Sequence, residues 1–229
     1  MGPVTARFVL VVTGMDFEAR IAAGPQCRVV HGLRGIALEQ GVSAMASREC
    51  VGIVSFGVAG GLDPALVPGD IVIADRVCAD GERYDADMSW ARAMHAAMAH
   101  ARVGTIAGSD QPVLAVADKQ SLHQACGALC VDMESHIAAR MAAACRLPFA
   151  ACRVVIDPAG RAVPAAAAAG MGEDGKTDVG AVLGGLLRAP WELAGLLRLA
   201  GDAAAARGAL RAARLAMGGQ FGLPEGLAQ

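Results

Sequence analysis

The stretch Val131-Asp132-Met133-Glu134-Ser135, with Ala151-Cys152-Arg153-Val154-Val155-Ile156-Asp157 behind it, decides how this chain is read. Asp132 is a good N-cap, and Met133, Ile137, Met141 and Ala144 recur on one helical face after it. Glu134 then falls in the first helical turn, where the helix dipole favours a carboxylate. Its two oxygens can accept hydrogen bonds from a sugar diol. Residues 149–157 read as a buried strand that ends in an acid and is stopped by Pro158-Ala159-Gly160. Open α/β sheets hold ligands beyond the C-terminal ends of their strands. Glu134 and Asp157 can therefore meet at one cleft, one holding a sugar and the other giving or taking a proton.

Other strands support the same architecture. Phe8-Val-Leu-Val-Val12 and Val51-Gly-Ile-Val-Ser-Phe56 are apolar on both faces, as central strands are. Ile71–Ala74 and Gly104–Gly108 are further short strands, Cys27–Val30 is a weaker one, and Val113–Ala117 is a candidate. Helical patterns lie between them, at 36–48, 89–102 and 118–129, the last opened by Asp118 as cap. This alternation predicts a single α/β domain over residues 1–229, three layers deep, with a mixed central sheet between helices. Asp80–Asp87 reads as a polar loop.

Two acid-bearing or glycine-rich segments follow strand ends. Thr13-Gly14-Met15 leaves the first strand, and Glu18 sits just beyond it. An acid there is common in a first helical turn, so the residue type alone favours a structural role. Gly57-Val58-Ala59-Gly60-Gly61 follows the second buried strand and reads as a loop whose N–H groups can approach a sugar or an anion. It matches neither a Walker A loop nor GxGxxG.

The composition excludes several classes. A net charge of −2 gives no electrostatic reason to expect nucleic acid. Seven cysteines form no CxxC pair and are read as reduced, buried small hydrophobes, which suits a cytoplasmic location. The five histidines fall in no paired-ligand pattern, so no metal and no cofactor are expected. Mean hydropathy is +0.43 and aromatics are 3%, so Val, Ile, Leu, Met and Ala must fill the core.

From about residue 178 the chain becomes an apolar helical extension, expected as pieces at 178–188, 191–199 and 202–217, after an alanine-rich run at 164–170 and a polar loop at 172–176. Arg188, Glu192 and Arg198 rule out a conventional membrane span. Packing on the sheet is the plain reading. The sharper one is an interfacial surface of Leu186, Leu187, Trp191, Leu193, Leu196 and Leu197, flanked by Arg188 and Arg198.

Five stretches in register resemble the nucleoside phosphorylase and nucleosidase superfamily: Thr13–Glu18, Gly57–Gly61 with Pro68–Ile73, Tyr84–Asp87, Val131–Glu134 and Arg153–Asp157. Within it, the run from Ser55 to Leu66, Met133-Glu134-Ser135 and the Leu/Arg-rich tail are most similar to hopanoid-associated phosphorylases, a group associated with removing adenine from adenosylhopane. The resemblance implies that Asp157 protonates purine N7, Glu134 grips the ribose hydroxyls and Met133 packs on the sugar. Gly57 and Val58 would line the place of water or phosphate, Glu18 would activate water, and Pro112 or Val113 would lie near the base. It also implies a homo-oligomer, phosphate as a co-substrate if the reaction is phosphorolysis, and contact with the inner membrane if the nucleoside is lipid-linked.

The chain departs from that pattern twice. Val58 stands where nucleosidases usually carry Ser, and Ile156 stands where they carry a Ser before the catalytic Asp. Both make the site more apolar. Arg20 and Arg153 are the candidates for a phosphate. Two other readings stay open. One is a methylthioadenosine/S-adenosylhomocysteine nucleosidase or ordinary purine nucleoside phosphorylase. The other is a nucleoside-binding protein that has lost its chemistry while keeping its fold.

Overall fold

The computed structural model describes residues 7–169 and 179–227. Alternation along the first strand, β1 (Phe8–Val12), sorts the core into two sides. Phe8, Leu10 and Val12 face α2 (Gly35–Met45) and α5 (Ser135–Cys145), packing with Leu38, Val42, Ile137 and Ala142. Val9 and Val11 face the opposite side, with Trp90 and Met94 of α3 (Met88–Ala97) and Leu210 and Ala213 of α8 (Leu193–Ala216). A sheet apolar on both faces must be covered on both, so the three layers follow from the strand pattern.

The remaining elements, in chain order, are α1 (Asp16–Ala22), β2 (Cys27–Val30), β3 (Cys50–Gly61), β4 (Ile71–Ala79), β5 (Glu82–Asp85), β6 (Arg102–Gly108), α4 (Val116–Cys126), β7 (Cys130–Asp132), β8 (Phe149–Asp157), α6 (Ala165–Ala169) and α7 (Val179–Arg188). The eight-stranded sheet is mixed, as expected. β1 pairs in parallel with β2 and β3, β3 with β8, and β4 and β7 with β6. The β3–β7, β4–β5 and β4–β8 pairs are antiparallel. The pairing β3–β8–β4–β6–β7–β3 closes on itself. That closure brings the ends of β3, β7 and β8 to one place.

Several elements differ from the sequence reading. Gly57–Gly61 is strand: β3 runs from Cys50 to Gly61, and its end pairs with β7 through Gly60↔Val131 and Gly61↔Cys130. β7 is too short for a periodic signal. It fixes Asp132 as a strand terminus, so α5 begins at Ser135 and Glu134 lies just before the first turn. The expected loop at 80–87 contains β5, joined to β4 by Asp80-Gly81 with φ of 50° and 83°. Two successive positive φ values are what an Asp-Gly hairpin supplies. Residues 113–115 form no strand, because β6 already has β4 and β7 on its two edges; α4 starts at Val116, leaving Asp118 in the first turn. The expected loop at 172–176 lies outside the described residues. Of the cysteines, all free, Cys50, Cys130 and Cys152 are buried, Cys27, Cys78 and Cys126 are half-buried, and Cys145 is exposed. The expectation of seven buried thiols is thus corrected, since α5 turns Cys145 to its outer face.

The two helices expected at 191–199 and 202–217 are one 24-residue helix, α8, with Gly201 inside it. A helical glycine costs about 1 kcal/mol against alanine, and burial of the second half outweighs it. Ala206, Leu210, Ala213 and Met217 are buried against β8 and β3, and Phe221 beyond them meets Phe56 edge-on at 5.0 Å between ring centres. The Trp90 indole N–H donates to the Phe221 carbonyl at 2.7 Å, tying α3 to the end of the chain. Among the described residues no helix is long and apolar enough to cross a membrane. Leu210→Ala should cost about 2–5 kcal/mol, as a buried Leu→Ala change does, read as a lower midpoint in urea unfolding. A change under about 0.5 kcal/mol, the scatter of ordinary surface substitutions, would show that α8 is dispensable to the core.

Candidate active site

The first half of the site is built at the end of β1. The chain turns at Thr13–Met15 into α1, and Glu18, third residue of that helix, bends back over its own N-terminus. Its Oε2 accepts from the backbone N–H of Gly14 (2.9 Å) and Met15 (2.8 Å). Its Oε1 accepts from Val58 N–H on β3 at 2.7 Å. A carboxylate has about four acceptor positions, so one remains. Glu18 is 1% exposed. Burial raises its pKa, against the pull of Arg153 and the backbone donors. The first-turn carboxylate that sequence alone reads as an ordinary helix-dipole partner is thus a buried link between α1 and β3.

Arg153, fully buried on β8, sits at the middle of the cluster. A guanidinium taken out of water must be neutralised and hydrogen-bonded. Asp132 Oδ2 lies 2.7 Å from its Nε, and Glu134 Oε2 lies 3.4 Å from its Nη2. Nη2 also donates to Ser55 Oγ at 2.5 Å, and Nη1 donates to the Val58 carbonyl at 3.4 Å. Asp132 works in a second direction as well. Its Oδ1 accepts from the N–H of Glu134 (2.9 Å) and Ser135 (2.7 Å), capping α5 from the end of a strand. The cap expected from the sequence is therefore real, although the residue is not itself the helix boundary.

Glu134 is held within this cluster. Burial, with Asp132 and Glu18 nearby, pushes its pKa up to about 7, against Arg153 and Arg34. Gly14 and Gly57 make the packing possible. A β-carbon at Gly14 would lie 2.6 Å from Glu134 Oε1, and one at Gly57 would lie 2.6 Å from both Glu18 Oε1 and Arg153 Nη1. Gly57 and Val58 thus belong to the site as expected, but from within a strand. Met133, half-buried, stands between the Asp132 and Glu134 backbones.

Asp157 ends β8 opposite Gly60 of β3, three residues further along than Gly57. At about 3.3 Å per strand residue, the two clusters lie roughly 10 Å apart along β3. Asp157 is 8% exposed, and burial raises its pKa. Its Oδ2 is bonded to Lys119 Nζ, from α4, and that ammonium is entirely buried. Lys119 Nζ also donates to the carbonyls of Pro158 (3.1 Å) and Arg161 (3.0 Å). Arg161 in turn pairs with Asp202 of α8. Val113 packs with Leu62, Ala107 and Val131 on the side of β6 and β7.

The structure therefore joins Glu18, Gly57, Val58 and Glu134 through Arg153 and sets Asp157 on the same strand pair. Of the two arginines considered for phosphate, Arg20 is exposed and Arg153 is enclosed by acids and hydroxyls. Sequence reasoning missed Lys119, Ser55 and Ser135. The one signal for Lys119 was its rarity, since eighteen of the chain's basic residues are Arg and two are Lys.

Comparison with known proteins agrees with this fold. The chain resembles the solved S-adenosylhomocysteine nucleosidase of Streptococcus pyogenes in complex with 5-methylthiotubericidin (TM-score 0.60, 19% identity, 69% of this chain and 86% of that one). It also resembles the 5′-methylthioadenosine/S-adenosylhomocysteine nucleosidase of Helicobacter pylori with butyl-thio-DADMe-Immucillin-A (0.63, 16%, 91% and 97%) and futalosine hydrolase of Helicobacter pylori (0.59, 16%, 67% and 88%). At these identities the likeness is one of fold. No curated protein matches the chain. The family model of the phosphorylase superfamily matches residues 19–188, which include Gly57, Lys119, Glu134, Arg153 and Asp157; Gly14, Met15, Glu18 and Asp202 lie outside it. This chain belongs to the phosphorylase superfamily, the nucleoside phosphorylase and nucleosidase enzymes that its motifs resemble.

Proposed function

We propose that this protein cleaves the N-glycosidic bond of a purine nucleoside and releases adenine, and that the nucleoside carries an apolar 5′ substituent, adenosylhopane being the candidate. The observation that carries the bond-cleavage reading is the pair of acidic clusters on one strand. Glu134 and Glu18 flank Arg153 at Gly57, and Asp157 stands at Gly60. Cleavage of a glycosidic bond builds positive charge on the sugar and negative charge on the base. Carboxylates at one end and a proton donor at the other address both changes. Glu134 would accept from the ribose diol, and Asp157 would protonate N7 of the leaving base. Glu18, with one acceptor position left, would take a proton from the attacking water.

Water is the nucleophile the geometry favours. Arg153 is already paired with Asp132 and Glu134, with Glu18 close by, so its charge is taken up before any anion arrives. A phosphate dianion would have to compete with those carboxylates for it. The apolar 5′ group is supported by Val58 and Ile156, half-buried beside the site on the α3 and α8 side of the sheet, and by a separate surface. Leu187, Trp191, Leu193 and Leu197 are exposed along α7, the turn at Pro190–Glu192 and the start of α8, with Arg188 and Arg198 exposed beside them. Of the other two leucines expected there, Leu196 is half-buried and the Leu186 side chain lies outside those described. Aromatic and leucine side chains with flanking arginines suit an interfacial helix, and one such patch gives reversible attachment to a membrane. The protein would then be cytoplasmic and peripheral at the inner membrane, a homo-oligomer as its resemblance implies, and free of a bound cofactor.

The test is adenine release from adenosylhopane and from methylthioadenosine, each with and without phosphate. Release from adenosylhopane alone, independent of phosphate, is the expected outcome. Phosphate dependence would overturn the hydrolytic reading, and release from methylthioadenosine alone would overturn the lipid-linked substrate. Tight binding with no release from either would leave a nucleoside-binding protein. Asp157→Ala should lower kcat by about 10²–10⁴-fold, the range of general-acid contributions. The pH profile of kcat/KM should rise through about 7, where Glu134 ionises and becomes a pure acceptor. The falling limb should be set by loss of the Asp157 proton, which burial retains to higher pH than an ordinary carboxyl group does. Glu134→Gln should remove the rising limb; a limb unchanged in that variant would assign it to another group.

A further inference from the structure

The proposed reaction leaves one buried ionisable group unused. Lys119 reaches from α4 into the protein, has no exposed surface, and ends on Asp157. Its Nζ has three partners: Asp157 Oδ2 and the carbonyls of Pro158 and Arg161. Each of the three N–H donors of an ammonium thus meets one acceptor. A β-carbon at Gly60 would lie 3.5 Å from Asp157 Oδ1 and 3.6 Å from Oδ2, so the carboxyl group stands against β3.

We propose that Lys119 is a positioning residue for Asp157: by holding Oδ2 it fixes the carboxyl group and leaves Oδ1 to carry the proton given to the leaving base. This rests on the reading of Asp157 as the acid. As the C–N bond breaks, its electron pair goes to the base, and N7 takes the proton carried by Oδ1. The carboxylate left behind keeps its bond from Lys119 and is reprotonated from solvent after the base departs. The charged groups acting on Asp157 are Lys119 from α4, Arg161 from the loop after β8, and Asp202 from α8. Arg161 and Asp202 pair with each other, so Lys119 is the cation that answers the carboxyl group.

Lys119→Met should lower kcat for adenine release by about 10²-fold or more, with KM changed less than about threefold, because Lys119 touches no substrate. The Lys119 cation opposes the rise that burial gives the Asp157 pKa, so in this variant the falling limb of the pH profile should move to higher pH. Lys119→Arg keeps the charge and should hold that limb near its wild-type position. Full activity of Lys119→Met, a limb that does not move, or a loss in kcat matched by an equal gain in KM would overturn the role. If the wild type releases no base from methylthioadenosine or adenosylhopane, the cleavage reading fails instead.

Discussion

The buried guanidinium of Arg153 is the constraint on which the rest of the site depends. A cation on a fully covered strand would destabilise the fold by several kcal/mol unless it were paired. The pairing recruits Asp132 from β7, Glu134 from the start of α5, and Ser55 from β3. Each is held by more than this one contact. Asp132 also caps α5, and the Ser135 hydroxyl bonds to Ser55. Removing the guanidinium would therefore leave three acids facing one another and loosen the junction of a strand, a helix start and the sheet centre.

The same constraint explains the glycines. β3 must pass between Glu18 and Arg153 on one side and Asp157 further along, and neither Gly14 nor Gly57 has room for a β-carbon. A glycine costs strand stability. Here that cost is offset by bonds that need close approach, such as Val58 N–H to Glu18. The two ends of the site are electrostatically unlike. One is an arginine enclosed by acids. The other is a lysine matched to a single aspartate. In the proposed reaction a fixed cluster of charges would suit the end at the sugar, and an ionisable acid the end where the base leaves.

α8 links this chemistry to the surface. Its second half is core, while its beginning carries exposed leucines, and Asp202 between them holds Arg161 of the loop that also satisfies Lys119. The family match ends at Arg188, before this helix begins. The segment beyond that match completes the core at Phe221 and carries Trp191, Leu193 and Leu197 of the exposed apolar surface.

The sequence by itself determined the class of the fold. β1 and the first half of β3 are apolar runs, helices alternate with them, and β8 ends in an acid; local pattern is enough for that because burial on two faces leaves no polar positions. It also marked Glu134, Asp157, Glu18 and Gly57, by their places at strand ends and by resemblance. Tertiary structure decided what local pattern cannot encode. β7 is too short to show a period and exists because β3 and β6 flank it. Gly57–Gly61 reads as a loop by composition and becomes strand because β7 and β8 pair with it. The Glu18 carboxylate looked ordinary until β3 brought Val58 to it. Lys119 lies 38 residues from Asp157 in the chain, and no spacing rule joins a helix lysine to a strand terminus. Charge pairing in a dry interior depends on which side chains the closed sheet brings together, and that is a property of the assembled chain.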